Sequence, residues 1–170
     1  MSVIDPILRG AAASAVGTFA MDASIYRRYR HDGGTEAFPA WESSEGLESW
    51  EKAPAPARVA KRFLEDVLKR EVPPRYARLL NNATHWGFGM AAGAGYGLLV
   101  RSRKSRVWYG LPFGTAVWAS GYVVLPQLGV YKQIWEYDLE TLRKDLTGHL
   151  VFGTATAAAF SLLTKERSSR

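Results

Sequence analysis

A chain of 170 residues suffices for one compact unit, and the absence of cysteine excludes a disulfide framework, a thiolate metal site and a cysteine nucleophile. The formal charge of +6 does not point to nucleic acid, because the basic residues flank apolar runs (Arg27, Arg28, Arg30; Arg101, Arg103, Lys104, Arg106; Lys165, Arg167, Arg170), as at a membrane–water boundary. The mean hydropathy of −0.15 averages a polar segment over 27–78 with four stretches that hold almost no charge.

Taken in chain order, the first apolar run spans 7–26 and predicts a membrane helix whose small residues Gly10, Ser14 and Gly17 share a face. Its Ala-rich centre resembles a signal-peptide core, but the positive charges follow the run and no clear cleavage site separates them. From His31 to Ala57 the chain reads as irregular, with Gly33-Gly34, Pro39, an acidic ESSEGLESWE patch and Pro54 and Pro56; Trp41 and Trp50 read as interface anchors. Over 58–71 the sequence predicts an amphipathic helix, with Val59, Phe63, Leu64, Val67 and Leu68 on one stripe and charges opposite. It suits either the membrane surface or a cap on the protein itself. Pro73-Pro74 ends it.

The stretch 79–100, LLNNATHWGFGMAAGAGYGLLV, has no charged residue, and at about 1.5 Å per residue a helix of this length crosses a roughly 30 Å hydrocarbon core. Gly89, Gly93 and Gly97 recur every fourth residue and let a second helix approach backbone to backbone. After the basic turn 101–106, the run 107–131 predicts a third membrane helix, with Gly110 and Gly114 four apart. The run 146–164 predicts a fourth, with Gly153 and Ala157 on one face, before a polar tail. The expected fold is all-α: a four-helix transmembrane bundle in a single domain, with an additional amphipathic helix in the first connection.

Connectivity then places the end of the first helix, the start of the second, the end of the third and the start of the fourth at one membrane face. The intramembrane polar groups Asp22, Asn81, Asn82, His85, Gln127 and His149 all lie at those ends and are expected to converge on one vestibule under the long connection and the WEYD loop at 135–138. As a functional site, the vestibule binds protons or a solute, because histidine changes charge near neutral pH. As a structural feature, its groups hydrogen-bond one another and hold the bundle together. A metal ion on His85, His149 and a carboxylate is allowed by ligand type, but no short-spaced His pair supports it, and no metal or cofactor is predicted. GxSxG, P-loop and HExxH signatures are absent, so no enzymatic activity is expected.

Pro73-Pro74-Arg75, His85, Tyr96-Gly97, Gly110-x-Pro112-Phe113-Gly114 with Trp118, Leu125-Pro126, and Glu136 before His149 stand in an order that resembles the YagU-like family of bacterial inner-membrane proteins. The resemblance covers roughly residues 73–160, and the stretch 121–138 is similar to actinobacterial membrane proteins. It implies a multi-pass inner-membrane protein, from a family with one member associated with acid resistance, and supplies no catalytic residue. The expected partners are the lipid bilayer and either a second copy or another membrane protein; the purely basic 101–106 turn points to both termini in the cytoplasm. Two functions follow as expectations. One is proton- or solute-linked transport or an acid or stress response. The other is a structural or assembly subunit that docks through the glycine faces Gly89, Gly93 and Gly97 or Gly110, Gly114 and Gly153.

Overall fold

A computed structural model describes residues 3–101 and 106–168, with side chains described as far as residue 164. Most of the basic turn therefore lies outside the described residues, and the polar tail continues the last helix as far as Ser168. All regular structure among the described residues is helical: α1 (Ile4–His31), α2 (Phe38–Glu42), α3 (Ala55–Leu68), α4 (Ala77–Val100), α5 (Gly110–Val124) and α6 (Leu139–Ser168), with short 3₁₀ turns at Pro74–Tyr76, Val107–Tyr109 and Ile134–Glu136.

Local chemistry sets the helix ends. Asp5 lies in the first turn of α1 and Arg28, Arg30 and His31 in the last, each sign complementing the helix dipole. Gly33, at φ +94°, takes the left-handed position that stops α1, and the amide of Gly34 returns to the carbonyl of Tyr29 at 2.8 Å. In α3, Lys61–Glu65 and Arg62–Asp66 pair one turn apart at 3.2 and 3.3 Å. Left-handed Lys69 ends that helix, and Glu65 accepts from the amide of Val72 at 3.1 Å.

Several boundaries differ from the sequence expectation: α1 runs 4–31 and not 7–26, and α3 runs 55–68 and not 58–71, ending at Lys69 ahead of Pro73-Pro74; two further shifts bear on the site. The third helix stops at Val124 and does not run to 131: Leu125 still has helical angles, but Pro126 has no amide hydrogen to donate to the preceding turn, and its ring crowds that turn's carbonyl. The chain turns there instead: Val130 and Tyr131 both donate to the carbonyl of Leu125, and Gly129 sits at φ +67°. The last helix begins at Leu139, ahead of the apolar run at 146, because Asp138 caps it by accepting from the amide of Thr141 at 2.7 Å and its hydroxyl at 2.8 Å. Its first turns are charged, with Glu140 and Lys144 paired at 2.6 Å.

α1 and α6 form the centre, α4 packs on α1, and α5 packs on α6. All three seams are antiparallel and made by small residues. A Cβ on Gly93 would overlap Ser14 and the carbonyl of Gly10, one on Gly97 the carbonyl of Pro6, and one on Gly89 the hydroxyl of Thr18. Between α5 and α6, Gly110 and Gly114 lie against the backbone at Gly153 and His149. Such approach removes the space a side chain would fill and brings long stretches of backbone into van der Waals contact. Arg9 ties α1 to α6, pairing with Asp5 at 3.0 Å and donating to the carbonyl of Leu163.

At this end of the bundle Tyr96 is buried, with its ring 4.8 Å from Phe113 and 5.6 Å from Phe160, which closes α4 onto α5 and α6. Ala13, Val100 and Ala157 complete that core. At the other end α4 and α5 diverge. Among the described helices one, over Leu139–Thr164, is long and apolar enough by itself to cross a membrane.

Candidate functional site

The site begins with a carboxylate that the bundle must satisfy. Asp22 of α1 is 5% exposed. His85 of α4 meets it, with Nε2 lying 2.9 and 3.1 Å from the two carboxylate oxygens. An ionised carboxylate only accepts, so Nε2 carries the proton of this bond. Residues 18 and 89 are opposed on the same antiparallel seam, so positions 22 and 85 follow one turn further along.

Glu42, at the end of α2, stands over this pair. Phe38 and Trp41 hold α2 on α1: Phe38 packs against Phe19 and Tyr26 at 5.7 and 5.1 Å, and Trp41 against Tyr26 at 5.3 Å. From the α4 side, Arg78 and Asn82 donate to the carbonyl of Ser43 at 3.0 and 2.9 Å, and Asn81 donates to the hydroxyl of Ser44 at 2.9 Å. The clamp leaves Oε1 of Glu42 buried without a hydrogen-bond partner among the described residues. Burial first, then the negative charge of Asp22, pushes the Glu42 carboxyl up to about 7, with His85 opposing the shift.

Beside this cluster lies a cavity of about 350 Å³ between the diverging ends of α4 and α5. Its floor comes from Thr18 and Met21 of α1 and Phe152 of α6, and Ala55, Pro56 and Val59 of α3 cover it. His85 and His149 both line it, together with Asp145, Trp118, Tyr122 and Tyr131. His149 Nδ1 donates to the carbonyl of Asp145 at 2.9 Å, leaving Nε2 as the acceptor of a neutral ring. The Thr18 hydroxyl and the Trp118 indole nitrogen, both on lining residues, are buried without hydrogen-bond partners among the described residues. A mostly apolar chamber of this size with a few convergent polar groups has the character of a small-molecule site.

Of the six polar residues expected to converge, Asp22 and His85 touch, and His85 and His149 share the cavity. Asn81 and Asn82 instead clamp the first connection. Gln127 is exposed and turns back to the carbonyl of Val123 at 2.9 Å, because the turn after α5 carries it away from the cavity. Trp50 is tied to the chain itself, donating to the carbonyl of Val72 at 2.9 Å. No group of three or more His, Asp or Glu among the described residues is placed to hold a metal ion. Glu42, Asp145 and the tyrosines were missed from sequence. The signal for Glu42 was local: Phe38 and Trp41, one turn apart around Pro39, mark a short helix that can dock by its aromatic face. No family model, curated protein or solved structure matches the chain.

Proposed function

We propose that the chain is a multi-pass membrane protein that binds a small, largely apolar solute between α4 and α5 and couples binding to protonation of Asp22, His85 and Glu42, as a proton-linked transporter does. The observation that carries this reading is the cavity of about 350 Å³ with both intramembrane histidines in its wall. The membrane setting is supported by the inversion of polarity in the bundle. Val16 and Phe19 on α1, Met90 and Leu99 on α4, Leu111 and Val123 on α5 and Leu162 on α6 face outward, while Ser14, Thr18, Asp22, Asn81 and Thr156 are buried. Water favours the reverse arrangement, whereas lipid favours this one. Phe63, Val67 and Leu68 of α3 are exposed as well, which suits a helix resting at the membrane interface. The bacterial inner membrane implied by the YagU-like resemblance is part of the same proposal.

The alternative of a subunit that docks through its glycine faces has less support. Gly89, Gly93 and Gly97 are filled by α1, and Gly110, Gly114 and Gly153 by each other's helices, so a partner would have to pull the bundle apart to use them. Proteoliposomes with a trapped pH dye test the proton-linked role. The wild type should dissipate an imposed pH gradient faster than empty liposomes, and Asp22→Asn and His85→Ala should not. Equal rates for wild type and empty liposomes contradict it.

A further inference from the structure

We infer that the solute is a lipophilic amine, its ammonium seated at the Asp145 end of the cavity and its apolar body lying along Phe88, Val117 and Phe152. The inference rests on the reading of the cavity as a binding site and names the chemistry that fits it.

Charge decides first. Asp145 is the one carboxylate among the lining side chains, and none of them is Lys or Arg. Among the described residues its ion-pair contact is His149 Nδ1 at 3.5 Å, and that nitrogen lies closer, at 2.9 Å, to the carbonyl of Asp145. The Tyr122 hydroxyl also faces the carboxylate. An ionised carboxylate can accept about four hydrogen bonds. Asp145, its side chain 32% exposed, is thus left with acceptor capacity at the edge of a mostly apolar wall, where an opposite charge is its natural partner. An anionic solute meets that charge as repulsion.

Rings decide next. Trp118, Tyr122 and Tyr131 stand in sequence at centroid separations of 5.2 and 5.4 Å, and Tyr137 meets Tyr122 edge-on at 5.4 Å. Three of these four line the cavity. Aromatic faces attract ammonium groups, and they do so more strongly where water is excluded. Arg58 approaches Tyr131 from α3, but it is solvent-exposed and is not part of the wall. His85 is engaged by Asp22, and His149 is neutral while its Nε2 lacks a proton.

Equilibrium binding of phenylbutylamine, phenylbutanol and phenylbutyrate to the full chain in non-ionic detergent, corrected for protein-free micelles, tests the inference. The amine should bind about tenfold or more tighter than the alcohol, and the carboxylate most weakly. Asp145→Asn should bring the amine down to the level of the alcohol and leave the alcohol unchanged, while Asp145→Glu should keep the preference. Should Asp145→Asn lose the alcohol as well, Trp118→Leu decides, and a selective loss of amine binding supports the inference. Equal binding of amine and alcohol by the wild type, or a preference that survives Asp145→Asn, overturns the amine assignment and leaves the cavity as a site. Absence of binding by all three overturns both.

Discussion

Asp22 of α1 and His85 of α4 are joined across the glycine-lined seam between the two helices, through Nε2 and both carboxylate oxygens at 2.9 and 3.1 Å. The pair thus lies where α1 and α4 are already drawn together by Gly89, Gly93 and Gly97. Replacing one partner leaves the other buried without its bond. Asp22→Ala and His85→Ala should each destabilise the protein by about 2–3 kcal/mol. The double variant should cost less than the sum of the two, since it strands neither group. Thermal denaturation in detergent, followed by circular dichroism, measures all three.

The glycines of α4 separate into two kinds, and the difference is testable. Gly93 faces Ser14 and the backbone of Gly10, whereas a Cβ at Gly95 meets nothing within 4 Å. Gly95→Ala should be neutral or stabilising by about 0.5–1 kcal/mol, because alanine loses less backbone entropy on entering a helix. Gly93→Ala should destabilise by about 1–3 kcal/mol, because a methyl group forces two backbones apart. Melting temperatures that move equally for both variants contradict the assigned seam.

Glu42 makes stability depend on pH. Its carboxyl is pushed from the ordinary value of 4.5 to about 7, by burial first and by Asp22 second. Between those two values the folded chain holds a proton that the unfolded chain releases, so folding is favoured most below the lower one. The contribution is fully present below pH 4.5 and is lost as pH rises through about 7. The melting temperature should therefore fall across this window, and Glu42→Gln should flatten the fall. A profile for Glu42→Gln that matches the wild type assigns the titration to other groups.

The helices were legible where the sequence carries long uncharged runs, because a run without charge has few alternatives to burial or lipid. The glycine spacing in 79–100 likewise identified the face that α1 occupies. Where the reading stopped short, short-range chemistry governs. α2 is too brief to show periodicity and is held by Phe38 and Trp41 against α1, so Glu42 read as one more acid in a solvated patch. The end of α5 turns on Pro126, and the start of α6 on Asp138, single residues inside longer patterns. Asp145 lies just ahead of the apolar run that begins at 146, and only the extension of α6 back to Leu139 makes it a helix residue in the cavity wall.

The central claim is that four helices, and not α6 alone, lie in lipid. Spin labels on single cysteines at positions 16, 90 and 116 test it directly, since these are outward-facing sites on α1, α4 and α5 and the chain has no cysteine of its own. In reconstituted membranes, power-saturation measurements compare access by oxygen, which concentrates in lipid, with access by a water-soluble nickel chelate. The account predicts high oxygen and low nickel access at all three positions. Nickel access at these positions equal to that of an exposed loop site such as position 48 would contradict it, and would leave α6 as the one helix in the membrane.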